Sequence, residues 1–369
     1  MDDVSTLPLP KVFSNHALVR FAPHLLALLF PLNALAFVLT GPHRWWVALL
    51  FTVPVFGSTV VDRYSGTETR QPSRVDAWPF DALLVALSAL QLVNVVLLGR
   101  MMQHASPWRF DTLAAMVVVG SSSAYSGIVV AHELIHRTQS GWRTLGRLLL
   151  ATVSYEHFYT EHVRGHHVRI GTEEDPATAR FGESFQHFYF RTVPAQFRSA
   201  WRLETTRLGD PDMPLWDPRL LRSRVVHGVV GEVAIAAAVT VAFGPAALLA
   251  HVLQAWWATR ALEVVNYFEH WGLSRKEKRV QPIHSWDTHS RFTYFALTGL
   301  SRHADHHAFA SRHYEDLRVW DESPKLPRGY LAMFPLVLGQ NRKFQRLMTI
   351  ELRERKLGPF AAPAPAEAE

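Results

Sequence analysis

The sequence predicts an all-α membrane protein: six transmembrane helices under a histidine-rich cap on the cytoplasmic side. Three observations carry the prediction. Several apolar stretches reach the roughly twenty residues that an α-helix needs to cross a bilayer. Lysine and arginine are unevenly shared among the connections between them. Histidines gather in four short motifs, all on the side where the positive charge is densest.

The first span, near 18–40, ends in "LLALLFPLNALAFVLT" and is expected to persist as an anchor. Asp2 and Asp3 stand where a signal peptide has a basic start, and no small-residue cleavage pattern follows. The second span lies near 44–62 ("RWWVALLFTVPVFGSTVVD"), the third near 80–99 ("FDALLVALSALQLVNVVLLG") and the fourth near 110–131. The fifth and sixth, near 225–243 and 246–266, are joined through "GPA" at 244–246, a connection too short to hold a site. Soluble core helices seldom run this long without a charged face.

Positive charge falls mostly in 63–78, in 137–224 and after 273, with Arg44, Arg100 and Arg109 on the opposite side. Six spans with both termini cytoplasmic satisfy the positive-inside tendency, as in a bacterial-type inner membrane. Segments 132–224 and 267–360 then form one cytoplasmic cap, making 1–360 a single integral-membrane domain. The remainder, "AAPAPAEAE" (361–369), reads as a disordered tail.

Composition excludes several chemistries. The chain has 369 residues, a net charge of +6 and no cysteine, so disulfides, cysteinyl iron–sulfur clusters and thiolate metal sites are ruled out. No Gly-rich phosphate loop and no basic stripe interleaved with aromatics points to nucleic acid.

Nine of the twenty histidines sit in "AHELIHR" (131–137), "TEHVRGHH" (160–167), "NYFEHWG" (266–272) and the first part of "RHADHHAFASRHY" (302–314), as far as His307. They are His132, His136, His162, His166, His167, His270, His303, His306 and His307. Residues three or four apart share a helix face, so His132/His136, His162/His166 and His303/His306/His307 are each expected to aim one way. Adjacent rings such as His166 and His167 diverge by about 100° and can serve two ions. One ion takes about four to six ligands, so nine convergent imidazoles fit two ions best. Imidazole suits iron, copper, nickel and zinc alike.

An acid accompanies each cluster: Glu133, Glu161, Glu269 and Asp305. These are placed to accept the second N–H of a ligating ring or to bridge the metals. Arg137, Arg164 and Arg302 read as structural partners of these acids or of lipid headgroups. His16, His24, His43, His104, His187, His227, His251 and His313 read as ordinary hydrogen-bonded or solvated residues, while His157, His284 and His289 lie close enough to the motifs to stay open.

Two other classes account for part of the pattern. "HELIH" satisfies the HExxH of zinc proteases, but that site leaves most of the other seven motif histidines unused. A metal transporter places its ligands near the bilayer midplane rather than at one face.

The four motifs, in this order and separation, resemble the signatures of the integral-membrane non-haem di-iron alkane 1-monooxygenases, within the membrane fatty-acid desaturase and hydroxylase superfamily. "HELIHR", "EHVRGHH", "NYFEHWGL" and "RHADHHAFASRHYEDLR" carry the resemblance, which covers roughly 130–330. The stretches at 171–193 and 284–289 are also family-like. Trp271, Ala304, Phe309 and Asp287 depart from the pattern, and residues 1–110 match in hydropathy alone.

The resemblance implies two non-haem irons held by the nine histidines, O2 as co-substrate, and electrons from rubredoxin or a ferredoxin-type carrier with its reductase. It implies hydroxylation of the terminal methyl of a hydrophobic small molecule, an alkane giving a 1-alkanol; a desaturase, or a hydroxylase of aromatic or terpene methyl groups, would use the same metal box. The basic cytoplasmic face would steer an acidic carrier. Trp45, Trp46, Phe51, Phe56 and Tyr125 are candidate lining for a lipid-accessible substrate slot.

Overall fold

A computed structural model describes residues 19–73, 75–103 and 109–361, and among these the chain is helical, with two isolated bridges and no sheet. Asp2, Asp3, His16, His104 and the tail after 361 lie outside the described residues.

In chain order the elements that position the site are α1 (Val19–Thr40), α2 (Trp45–Tyr64), α3 (Trp78–Met102) and α4 (Phe110–Ile135). Next come α5 (Ser140–Ala151), a helical stretch α6 (158–169), α7 (Phe185–Arg207), α8 (Arg224–Phe243) and α9 (Pro245–His270). The last are α10 (Arg291–Ala296), α11 (His303–Ala308), α12 (Tyr330–Gly339) and α13 (Asn341–Glu354). Five of these, α1 to α4 and α8, are long and apolar enough to cross a membrane.

Their outward faces are apolar too: Leu50 and Val60 on α2 and Val230, Val233 and Val241 on α8 are exposed. Exposed aliphatic surface on this scale is stable against lipid and not against water, and the protein is an integral membrane protein. The sixth expected span falls on α9, which is long enough but less apolar, because its second half carries Arg260, Glu263, Asn266 and Glu269. Gly244 makes the tight reversal from α8 to α9 at φ +86°, where a side chain would be strained, and Pro245 opens the next helix.

Several polar side chains inside the bundle pair with one another and tie the helices together, as a low-dielectric surrounding favours. Gln91 donates to Ser123 and Thr152 and accepts from Ser126, tying α3 to α4 and to the end of α5. Asp62, near the end of α2, is buried and accepts from Ala332 N at 3.0 Å and from Thr293 Oγ1 at 2.7 Å. One carboxylate thus caps the N-terminus of α12 and fastens it, with α10, to a membrane helix.

The main core runs from the inner ends of the spans into the cap, with Trp271, Trp286, Tyr267 and Tyr330 fully buried. Trp271 donates its indole N–H to the Glu183 carbonyl, and Trp286 donates to the Trp271 carbonyl. The residue that departs from the family signature is therefore a core strut that binds the end of α9 to the start of α7.

Candidate metal centre

All nine motif histidines come together, and they do so as two adjoining groups. Ligand atoms of His132, His136, His162, His167 and His306 lie within 4.8 Å of one another. So do those of His166, His270 and His307, and those of Glu269, His270 and His303. His303 and His307 approach to 2.8 Å between Nε2 atoms, so the last two sets form one group of four rings and a carboxylate. The groups touch where the His167 and His307 rings stack at 4.4 Å.

The Nε2 atoms face inward without protein partners suited to them. Those of His132, His136 and His166 are buried and meet no hydrogen-bonding group at all. Those of His162, His167 and His306 meet only one another, at 3.0 and 3.1 Å. Apart from the Glu269 carboxylate, the same holds for His270, His303 and His307. Burying this many unsatisfied ring nitrogens costs a folded protein heavily unless something else binds them, and all-imidazole donors with one carboxylate suit a borderline transition metal. The residues therefore fit two metal ions.

Burial also keeps the rings neutral, the state in which imidazole ligates. Desolvation, helped by the neighbouring His166, pushes His136 down to about 3. Desolvation first, then the other rings, holds His162, His167, His303, His306 and His307 well below the usual histidine range.

Local structure decides which ring joins which group. His132 and His136, one turn apart at the end of α4, go together, as do His303 and His307 on α11. His162 and His166 do not: residues His162–His166 form a π turn, whose repeat places neighbours five apart. His162 therefore meets His167, and His166 passes to the second group. The expected common face of His162/His166 and of His303/His306/His307 is corrected accordingly, while the divergence of His166 from His167 is as expected.

Of the four acids, only Glu269 points into the centre, 3.2 Å from His303 Nε2. Glu133 pairs with Arg137 at 2.9 Å, Glu161 with Arg169 at 2.8 Å, and Asp305 with Arg312 and the Trp320 indole N–H. Arg164 lies 3.7 Å from Glu204, and Arg302 donates to the Leu317 and Arg70 carbonyls.

Beside the rings opens an apolar cavity of about 290 Å³. His132, His162, His303 and Glu269 form its inner end, and Val55, Tyr125, Ile128, Leu262, Leu297 and Phe334 are among its walls. Phe56 and Leu338 line it and are also exposed, so it opens sideways between α2 and α12 toward the lipid. Of the candidate lining residues, Phe56 and Tyr125 belong to it. Trp45 and Trp46 do not: they are exposed at the opposite end of α2. Phe51 packs instead on Phe37 and His43.

A family model for fatty acid desaturases matches residues 106–337. An alkane 1-monooxygenase of Pseudomonas aeruginosa is 33% identical over 329 residues, 85% of each chain. One of Acinetobacter baylyi is 32% identical over 306 residues, 80% of this chain and 72% of that protein. The chain belongs to the alkane 1-monooxygenase family. It is accordingly an oxidoreductase. It is also similar to the xylene/toluene monooxygenase hydroxylase component of Pseudomonas putida, at 26% identity over 201 residues, 54% of this chain and 53% of that protein.

In this alkane 1-monooxygenase relative, spacing did not single out Asp175. Its Oδ2 lies 2.9 Å from His166 Nδ1, and Thr178 Oγ1 and Ala177 N donate to the same carboxylate. The nine-residue separation from His166 crosses a turn, so no helical period marks the pair; the run "EEDPAT" offers only a turn signal. The remaining described histidines stay outside both groups. His24 sits among Phe80, Tyr294, Phe295 and Tyr314, and His43 stacks on Phe37. His187 pairs with Glu183, His227 with the Leu221 carbonyl and His313 with Glu315, while His251 is buried in α9. His157 packs against Tyr155 and Phe197, His284 pairs with Glu277, and His289 is half-buried without a partner at Nε2.

Proposed function

We propose that this protein uses O2 to hydroxylate the terminal methyl of a linear hydrocarbon drawn from the bilayer, converting an alkane to a 1-alkanol. The observation that carries the reading is the junction of the two halves of the site: an apolar cavity, open toward lipid, ends on His132, His162 and His303 of the inward-facing cluster and on Glu269. The relatives named alkane 1-monooxygenase support the same reaction.

The nine histidines and Glu269 would hold two irons, with His132, His136, His162, His167 and His306 around one and His166, His270, His303, His307 and Glu269 around the other. When bound, the irons supply O2 reduction and the oxidising power to break an unactivated C–H bond. The chain's part is positioning. The cavity walls offer an alkyl chain no hydrogen bonds, so burial of methylenes at about 0.8 kcal/mol each is the binding force. A slot of this shape admits the chain end-on and presents a methyl, rather than a mid-chain carbon, to the imidazole end. Asp175 fixes the orientation of His166, and the apolar walls disfavour water beside the reacting carbon.

Electrons must be supplied from outside, since the sequence contains no flavin or nicotinamide fingerprint and no cysteine. A rubredoxin or ferredoxin-type carrier with its reductase fills that role, docking at the basic cap on the cytoplasmic side of a six-span arrangement. The test is joint metal and product analysis on purified protein with a carrier system. Two irons per chain and 1-alkanol from n-alkane under O2 are expected; one zinc, or an alkene product, would overturn the reading.

A further inference from the structure

A second, much smaller space lies beside the substrate cavity. It measures about 10 Å³, and Glu133, Thr298, His306 and Tyr314 are among its walls. Val129, His132 and Leu300 line both spaces, so a single layer of side chains divides them. On one side of this partition His132 faces the hydrocarbon walls of the slot, and on the other it adjoins polar groups.

Two of those polar groups are short of partners. Thr298 is buried, and its hydroxyl, close to that of Tyr125, completes no hydrogen bond within the protein. Arg137 meets one oxygen of Glu133, Oε1, at 2.9 Å, which leaves Oε2 over. Thr298 also stands at φ +42°, a left-handed conformation that a β-branched residue rarely adopts. Such strain persists where the surroundings impose it, and it clusters at functional sites. A chamber of this size has room for about one water molecule, which needs roughly two to four polar partners.

We propose that this chamber holds one water molecule, bound by Thr298 Oγ1 and Glu133, through which protons reach the rings of His132 and His306 from the side opposite the substrate. The use of the water rests on the hydroxylase reading above. Conversion of R–H and O2 to R–OH and water takes up the carrier's two electrons and two protons: one oxygen atom enters the C–H bond and the other leaves as water. An apolar slot conducts no protons, so they need a route of their own. The chamber has a polar connection to the surface of the cap. Arg137, which holds Glu133, also donates to His313 Nδ1 at 2.7 Å, and His313 is half-buried with Glu315 at 3.5 Å. The guanidinium does not itself give up a proton; it keeps Glu133 and His313 in place around the entrance.

The test compares iron-loaded wild type with Thr298→Val, which keeps the branched shape without the hydroxyl, and Thr298→Ser, which keeps the hydroxyl. Each is imaged at a resolution that shows ordered water, assayed for iron per chain, and turned over with its carrier system in H2O and in D2O. Wild type and Thr298→Ser should show one water within hydrogen-bond distance of the residue 298 hydroxyl and Glu133. Thr298→Val should keep its iron but lose that water, since one hydrogen bond fewer lowers occupancy by up to about tenfold. Its turnover should slow by a similar factor, with a larger solvent isotope effect as proton delivery becomes limiting; Thr298→Ser should match wild type in both. A dry chamber in wild type would overturn the site. Wild-type turnover and isotope effect in an iron-replete Thr298→Val would overturn the proton role. If wild type yields no terminal alcohol at all, the hydroxylase reading fails and the proton role with it, while the bound water is still decided by the image.

Discussion

Asp175→Asn tests the contribution of one buried charge to the metal centre. The carboxylate is buried, 2.9 Å from His166 Nδ1, and keeps its place through Thr178 Oγ1 at 2.6 Å and Ala177 N at 3.1 Å. Asparagine has the same shape but keeps only one acceptor oxygen, so with the charge it gives up either the Ala177 N–H or the His166 and Thr178 contacts. A hydrogen bond to a charged group contributes about 1.5–3 kcal/mol, which at about 1.4 kcal/mol per tenfold corresponds to about 10–100-fold in affinity. The general effect of removing a partner behind a metal-bound imidazole is the same, about 10–100-fold. The assay is chelator competition on purified protein, reading iron retained per chain against chelator concentration, with turnover followed in parallel. The midpoint should shift by about one to two decades and turnover should fall with it. A midpoint within about threefold of wild type would show that His166 neither depends on Asp175 nor holds metal through it.

Three further outcomes test other parts of the structure. His307→Ala removes a ring at the contact of the two groups; iron content should fall and turnover should be lost while membrane insertion, which depends on α1 to α4 and α8, persists, and a fully active His307→Ala would remove that ring from the ligand set. Asp62→Ala strips the cap from α12 and takes the acceptor from Ser290, Thr293 and Ala332 N, a loss of about 1–3 kcal/mol for each donor left buried and unsatisfied. The thermal midpoint should drop and protease should cut near 330 first; unchanged melting would refute the fastening role. In metal-free protein, His136 titrates at about 3 when folded, mainly because it is desolvated, against an ordinary value near 6.5. The unfolded chain then binds protons that the folded one does not, so stability is full above about pH 6.5 and declines as pH falls toward about 3. A melting temperature that stays flat to pH 4 would contradict the burial of these rings.

The spans and the histidines were legible because both are written in local periods. Apolar runs the length of a bilayer need no tertiary information, and His132/His136 or His303/His307 announce a shared face by a spacing of four. The rest depends on features that leave no period. A π turn looks like any helix in sequence, so the exchange of His166 for His167 as the companion of His162 could not be read. Asp62 caps a helix that begins near residue 330, and Asp175 reaches His166 across a turn; such pairings exist only after folding. Trp45 and Trp46 misled for a related reason, since aromatic character does not tell a wall of the slot from an anchor at the membrane edge.

If an external carrier supplies the electrons, as proposed above, the division of the rings would give it an approach apart from that of the substrate. His136 and His167, both in the five-ring group, are half-buried as residues where the other seven candidate ligands are buried, and neither lines the cavity. Substrate-side contact is made instead by His132, His162 and His303, which are buried, with Glu269 beside them. A hydrocarbon and an electron carrier have opposite solvation demands, one needing apolar walls and the other a wetted protein face. Placing both on one side of the rings would force either water into the slot or an apolar patch onto the docking face. Because adjacent residues such as His166 and His167 can be turned in different directions, a short stretch of chain serves both groups at once, and neither group needs to give up a ring to keep the two approaches apart.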